Sequence, residues 1–184
     1  MIKTKNTPAV LRKEKKIISP WVSLVSKQIQ FVPNSSPQTY HSLAVADYVS
    51  ILAVVEERVP LVQQYRPALE QVTTELPGGL VDKGCNPELS ARNELEEEVG
   101  LVVSGQLEMI GCFMPDSGRL ENRLWGYVLR EKAILKVGWE EEPNMKRIWV
   151  TPQELKTMVQ TEQFNHALHL AVILRAIINN QFTW

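Results

Sequence analysis

Residues 75–101 read ELPGGLVDKGCNPELSARNELEEEVGL, a glycine-rich loop followed by a segment with four glutamates in five positions. Asn86 suits a helix N-cap, Pro87 suits the first helical position, and Gly100 suits a left-handed C-cap. The stretch therefore predicts a helix from Pro87 to about Val99. Because like charges repel, glutamates at this density require either solvent or a bound cation.

Helical geometry places three of these glutamates on one stripe. Glu94, Glu97 and Glu98 stand at i, i+3 and i+4, whereas Glu96 points toward water. Carboxylate oxygens are the ligands that Mg²⁺ and Mn²⁺ prefer. The geometry alone leaves two interpretations open, namely a solvated acidic face and a divalent-cation site.

Composition restricts the class of protein. The chain has 184 residues, a formal net charge of −1 and 44% hydrophobic residues, which suits one soluble domain, alone or with a small appended sub-domain. No broad basic surface is available for nucleic acid.

The apolar segment LAVILRAII is short and contains Arg175, so it predicts a core helix and no membrane span. Two cysteines without metal-site or disulfide spacing favour a reducing cytoplasm.

Apolar and β-branched runs predict strands within residues 21–32, 39–55, 58–66, 103–114, 121–130 and 146–150. A capping signal in TPQEL predicts one further helix, and a last helix is expected over about residues 165–179. The polar and basic residues 1–16 predict a frayed charged tail. Strands mixed with helices indicate an α+β or layered α/β/α domain.

The opening stretch resembles a Nudix box, whose pattern is G-x5-E-x7-R-E-U-x-E-E-x-G-U, where U is aliphatic. The matching positions are Gly79, Glu94, Leu95, Glu97, Glu98, Gly100 and Leu101. Cys85 stands where the pattern has its first glutamate, and Asn93 stands where it has arginine. Arg92 lies about 100° around the helix from Asn93, so it does not replace the missing arginine. The resemblance implies a Nudix α/β/α sandwich and a Mg²⁺ site, with Mn²⁺ as a possible substitute, held by Glu94, Glu97 and Glu98.

The segment LVQQYRPALEQVTTELPGG is similar to the one before the box in the ADP-sugar diphosphatase branch of this family. The resemblance implies that Arg66 contacts substrate phosphates and that the turn at Gly78 and Gly79 presents backbone to the metal site. It also implies that Trp21 stacks on adenine and that Tyr40 of a partner subunit completes the stack. From the residues alone, packing within a small sheet is the favoured interpretation of both aromatic residues.

The resemblance implies a catalytic glutamate on a loop after the box. GWEEEPN is the acidic loop at a suitable place, so Glu142 is the first candidate for the base, followed by Glu141 and Glu140, with Glu98 also assigned to catalysis. A solvated charge cluster is the alternative for this loop. Glu121 is a further candidate near the metal.

Two histidines on the last predicted helix receive no metal. His166 and His169 lack a local carboxylate cluster and are expected on the helix surface or at its cap. Cys85 is expected to be an inert small side chain.

The combined expectation is a Nudix domain over residues 48–184, preceded by a tail and strands over residues 1–47 that serve dimerisation and base stacking. The expected function is Mg²⁺-dependent hydrolysis of ADP-ribose or another ADP-sugar to AMP and a sugar phosphate, by a cytoplasmic homodimer. Two alternatives stay open. One is another nucleoside diphosphate sugar as substrate, and the other is a catalytically weakened protein that binds or senses a nucleotide.

Overall fold

The structure, a computed structural model, describes residues 7–82, 84–130 and 133–184, which form two compact units. The first unit comprises the chain up to Ala46 together with Met114–Asn122. The second comprises Asp47–Phe113 and Arg123–Trp184.

The first unit is a three-stranded antiparallel sheet in the order β1, β2, β3. These strands are β1 (Ala9–Ile17), β2 (Ser23–Gln30) and β3 (Gln38–Ala44). The predicted frayed tail is therefore wrong from Ala9 onward, and residues 1–6 lie outside the described residues. Every residue of β1 is exposed, so its side chains carry no burial pattern, and its backbone is ordered by pairing with β2.

The second unit contains eight further strands and three helices within the described residues. The strands are β4 (Tyr48–Ala53), β5 (Val59–Arg66), β6 (Gln71–Glu75), β7 (Leu101–Val102), β8 (Glu108–Phe113), β9 (Leu124–Leu129), β10 (Ile134–Leu135) and β11 (Met145–Val150). The helices are α1 (Pro87–Val99), α2 (Pro152–Gln160) and α3 (Ala167–Ile178). Strands β4, β9 and β8 form one sheet, β11, β5 and β6 form another, and β10 pairs with β7.

Alternate residues of β4 point to two different hydrophobic clusters. Ile51 packs in the cluster that contains Leu95 of α1, and Leu52 packs in the cluster that contains Val172 of α3. Because strand side chains alternate between faces, the two helices cover opposite sides of this strand. The predicted layered α/β/α arrangement is confirmed.

Several element boundaries differ from the predictions. The run over residues 39–55 is two strands, β3 and β4, which belong to different units. Strand β6 was not predicted. The predicted caps of α1 are confirmed, since the Asn86 side chain accepts a hydrogen bond from Glu88 N and Gly100 has φ 67°. Helix α2 has the predicted capping box at Thr151.

No helix among the described residues is long and apolar enough to span a membrane.

Candidate metal and active site

The glycine-rich loop runs beside β4 and is bonded to its backbone. Val49 N donates to Gly79 O at 2.8 Å, and Ile51 N donates to Pro77 O at 2.9 Å. A Cβ added to Gly78 would lie 2.2 Å from Val49 O. Only glycine therefore allows the loop to approach β4 this closely.

The same loop contacts two glutamates of α1. Gly78 N donates to Glu98 Oε2 at 2.8 Å. A Cβ added to Gly79 would lie 2.1 Å from Glu94 Oε1. The two adjacent glycines thus have different functions, because Gly78 fits against β4 and Gly79 leaves room for the Glu94 carboxylate.

Packing of α1 sets the exposure of its glutamates. Ala91, Leu95 and Val99 are buried in the core, which fixes the rotation of the helix about its axis. Glu98 retains 7% of its surface, Glu94 is half-buried, and Glu97 is exposed. The predicted stripe is present, and it extends from solvent into the protein.

Burial and mutual repulsion disfavour the charged forms of the inner glutamates. Burial raises the pKa of Glu98 to about 8, against the hydrogen bond from Gly78. Burial, followed by the charges of Glu97, Glu142 and Asp82, raises the pKa of Glu94 to about 7. No lysine or arginine of residues 7–82, 84–130 and 133–184 forms an ion pair with Glu94, Glu97 or Glu98. A divalent cation would supply the missing positive charge, so these residues fit the expected metal.

A different trio also brings potential metal ligands together in the described part of the chain. Ligand atoms of Glu75, His166 and His169 all lie within 4.8 Å of one another. However, the Glu75 carboxylate already accepts hydrogen bonds from Arg66 and Thr73, and both ring nitrogens of His169 are engaged. These hydrogen bonds engage Glu75 and His169, whereas the buried Nδ1 of His166 has no hydrogen-bond partner among the described residues.

The guanidinium group of Arg66 makes a two-point contact with the buried carboxylate of Glu75. Its Nε donates to Glu75 Oε1 at 2.7 Å, and its second nitrogen also contacts Glu75. Burial would raise the pKa of Glu75, but the hydrogen bonds from Arg66 and Thr73 lower it to about 2. The Arg66 side chain remains 37% exposed. Its contact with substrate phosphates stays a prediction.

His169 differs most from its predicted place. It is fully buried rather than on the helix surface. Leu76 N donates to its Nδ1 at 2.9 Å, so Nε2 carries the proton and donates to the Tyr48 hydroxyl, also at 2.9 Å. Burial, followed by the charge of His166, lowers the pKa of His169 to about 3. The missed signal was its spacing of three and four residues from the buried Val172 and Ile173 on the same helix.

His166 occupies the N-cap position of α3, but its side chain makes no capping hydrogen bond. Its ring stacks on His169 with a centroid distance of 3.9 Å. The prediction of a capping position is confirmed, whereas surface placement holds for neither ring, since His166 is half-buried.

The acidic loop after the box is exposed. Glu142 is close enough for its charge to raise the pKa of Glu94. The Glu141 side chain accepts a hydrogen bond from Arg147 N at 3.0 Å. Glu140 is exposed. Of the three candidates, Glu142 is therefore the one that the structure brings into electrostatic contact with the α1 glutamates.

Three predicted residues belong to the first unit. Trp21 is 70% exposed, and Tyr40 is 42% exposed with its hydroxyl donating to Gly118 O at 2.6 Å. The Glu121 carboxylate is bound by Lys27, Lys13 and Ser42, and the Lys27 contact is the main cause that lowers its pKa to about 2. Glu121 thus makes a local polar cluster with strands β1 to β3.

The substituted box positions are exposed to solvent. Cys85 and Asn93 both lie at the surface, and Cys85 is a free thiol. Arg92 binds Glu88 and the carbonyl oxygens of Val103 and Gly105. The prediction that Arg92 does not replace the missing arginine is confirmed.

A surface cavity of about 780 Å³ lies elsewhere in the second unit. Its lining includes Val54, Arg58, Arg130, Pro152 and Trp184 but none of the α1 glutamates. Val54 follows the last residue of β4, whereas the glycine-rich loop bonds to Val49 and Ile51 of that strand. The cavity is therefore separate from the candidate site.

Comparison with known proteins decides the family. The NUDIX domain model matches residues 45–170. The chain belongs to the Nudix family. Over 135 residues it is 27% identical to the ADP-ribose pyrophosphatase of Bacillus subtilis (strain 168), with 72% of each chain covered. Over 126 residues it is 30% identical to the methanol dehydrogenase activator of Bacillus methanolicus, with 67% of this chain and 68% of that one covered.

A solved structure shares the Nudix fold. The crystal structure of an ADP compounds hydrolase matches with a TM-score of 0.81 at 18% identity, covering 98% of this chain and 100% of that chain. The predicted fold, the predicted family and the prediction of an enzyme of Nudix hydrolase type are confirmed. The Nudix box of this chain is the loop and helix described above, with seven of its nine defined positions retained.

Proposed function

We propose that this Nudix protein hydrolyses the diphosphate bond of ADP-ribose or another ADP-sugar and releases AMP and a sugar phosphate. The observation that carries the proposal is the group of glutamates beside the glycine-rich loop, two with raised pKa values and all three without an ion-pair partner among the described residues. The similarity to an ADP-ribose pyrophosphatase supports the substrate class.

The proposed cation is Mg²⁺, with Mn²⁺ as a substitute, held by Glu94, Glu97 and Glu98. Nudix hydrolases generally use a divalent metal. When bound, the cation neutralises charge on the diphosphate oxygens. The N–H of Gly78 keeps Glu98 oriented, since it donates to one carboxylate oxygen and leaves the other free.

Residues around the glutamates have separate proposed roles. Glu142, or else Glu141, orients a water molecule and accepts its proton, while the hydroxide oxygen bonds to one phosphorus and the bridging oxygen leaves with the other phosphate. Arg66 contacts phosphate oxygens through its exposed part, and Gly78 and Gly79 present backbone to the site. Glu98 is proposed for catalysis as well as for metal binding.

The proposed role of the N-terminal segment, residues 1–47, is base stacking by Trp21 and Tyr40 together with assembly of a homodimer. The fully exposed strand β1 and the exposed apolar side chains of Val10, Leu11 and Ile17 support an interface between two copies. Residues 48–184 are proposed to form the hydrolase domain. A cytoplasmic location is proposed from the two free thiols.

A second candidate function is nucleotide binding or sensing with little turnover. The observation that favours it is the loss of two polar box residues, which are replaced by Cys85 and Asn93. The similarity to a methanol dehydrogenase activator is compatible with a role in acting on another protein. We favour hydrolysis because the three principal glutamates remain.

The deciding experiment is a turnover assay of the full chain with ADP-ribose, other ADP-sugars and sugars of other nucleoside diphosphates, with Mg²⁺ and with EDTA. Hydrolysis is expected to require the cation and to be fastest for an ADP-sugar. Tight nucleotide binding without turnover of any substrate, even at high protein concentration, would favour the sensing function.

A further inference from the structure

A tryptophan from the acidic loop sits on the C-terminal end of α1. The indole N–H of Trp139 donates to Glu97 O at 2.8 Å. A Cβ added to Gly100 would lie 2.8 Å from the Trp139 ring. Gly100 therefore serves two purposes, because it adopts the left-handed C-cap conformation and also leaves space for this ring.

Arg147 also attaches to the C-terminal end of α1 and contacts Trp139. The Arg147 guanidinium lies 4.2 Å from the centre of the Trp139 ring and donates to Val99 O at 2.6 Å. Helix α1 has no basic residue in its own last turn. Arg147 thus supplies the positive charge that favours a helix C-terminus, and its stacking on Trp139 adds a cation–π contact.

Further contacts hold the residues on both sides of the acidic loop. Lys136 N donates to Gly100 O at 2.9 Å, and its ammonium group contacts Glu96 at 2.7 Å. Arg147 N donates to the Glu141 side chain at 3.0 Å. Residues 136 and 147 are therefore both bound to the end of α1, and Glu142 lies on the loop between them.

We propose that Trp139 and Arg147 are positioning residues that hold the acidic loop, residues 138–144, on the C-terminal end of α1, so that Glu142 stays beside the helix that carries the glutamates. This inference rests on the proposed function, in which Glu142 orients the attacking water. Firm attachment matters because a displacement of about 1 Å in a catalytic group can cost about 10²-fold in rate.

A double-mutant cycle in kcat tests the inference. Trp139→Ala is expected to lower kcat about 10-fold with little change in KM, and Glu142→Gln about 10²-fold. Because Trp139 acts through Glu142, adding Trp139→Ala to Glu142→Gln should lower kcat no further. Trp139→Phe keeps a ring beneath Arg147 and should recover part of the lost rate.

The matched control is Trp184→Ala, since the Trp184 ring packs on Phe182 and lines the cavity that is separate from the candidate site. It should leave kcat unchanged. Hydrogen exchange in residues 138–144 should be faster in Trp139→Ala than in this control, whether or not turnover is detected. Three outcomes would each overturn the inference. They are unchanged hydrogen exchange in Trp139→Ala, unchanged kcat in Trp139→Ala, and a loss of kcat from Trp139→Ala that is equal in the wild type and in Glu142→Gln.

Glu98→Gln separates this inference from the proposed function. Loss of turnover in Glu98→Gln together with additive effects of Trp139→Ala and Glu142→Gln would overturn only the positioning role. Wild-type turnover in Glu98→Gln would instead overturn the proposed metal-dependent hydrolysis.

Discussion

The backbone N–H of Gly78 donates a 2.8 Å hydrogen bond to Oε2 of Glu98, the second-last residue of α1. This bond joins the glycine-rich loop to the deepest glutamate of the Nudix box. It shows why loop and helix act as one unit, since the loop orients the carboxylate while the helix packing keeps it buried.

Removing the charge of Glu98 should abolish most turnover. Glu98→Gln keeps an oxygen acceptor for Gly78 N, so the fold should survive, while the loss of one ligand charge should lower kcat by ~10²-fold or more. Steady-state assays across a Mg²⁺ titration check this, with Glu88→Gln in the first turn of α1 as control. Equal kcat in the two variants would favour the alternative in which the glutamates of α1 form a solvated acidic face without a catalytic cation.

The two loop glycines should respond differently to alanine. Gly78→Ala places Cβ against the Val49 backbone oxygen, which cannot yield easily, and should cost on the order of 1–3 kcal/mol in the free energy of unfolding. Gly79→Ala places Cβ against the end of the flexible Glu94 side chain, so it should lower turnover with a smaller loss of stability. Urea unfolding and kcat measured on both variants distinguish these outcomes, and equal stability losses would contradict the assignment.

The stability of the metal-free protein should fall as pH rises from 6.5 to 8. The pKa values of Glu94 and Glu98 are raised to about 7 and about 8, so the folded state binds more protons than the unfolded state in this window. Stability then decreases with pH, by at most ~1.4 kcal/mol per pH unit for each group. The lowered pKa of His169 has the opposite effect, but only below its unfolded value of about 6.5.

Denaturant unfolding in EDTA at several pH values measures this slope. Glu98→Gln removes one of the two groups and should flatten the decline. A slope that is the same in wild type and variant would show that Glu98 does not titrate in this range.

The aromatic residues of the first unit should matter only for ligands that carry a base. Trp21→Ala and Tyr40→Ala should each weaken the binding of an ADP-sugar by ~1–3 kcal/mol, which is the range for stacking on a nucleic-acid base. Binding of the sugar phosphate alone should not change. Calorimetric titration of both ligands compares them, and equal losses would mean that the two side chains only support the sheet.

Restoring the box pattern should raise the rate. Cys85→Glu together with Asn93→Arg returns two polar supports near the metal ligands, and such supports typically change activity 10- to 100-fold. If the new side chains interact, the fold increase in rate of the double variant should exceed the product of the fold increases of the two single variants. A wild-type protein with no turnover, and activity only in the double variant, would support the sensing alternative.

Local signals in the chain were enough to predict some parts of this protein. Helix α1 begins and ends as its Asn86, Pro87 and Gly100 predict, because caps act within one turn of the chain. The stripe of Glu94, Glu97 and Glu98 follows from helical periodicity once that helix exists.

The contacts between distant polar groups were not predictable and became clear from the folded chain. Strand β1 has no burial pattern and is ordered by backbone pairing with β2, so its own residues predicted a tail. His169 lies 93 residues from Leu76, yet the two are joined by a hydrogen bond. Trp139 reaches Glu97 across 42 positions. These contacts depend on how distant segments pack, and local sequence patterns carry no information about such pairings.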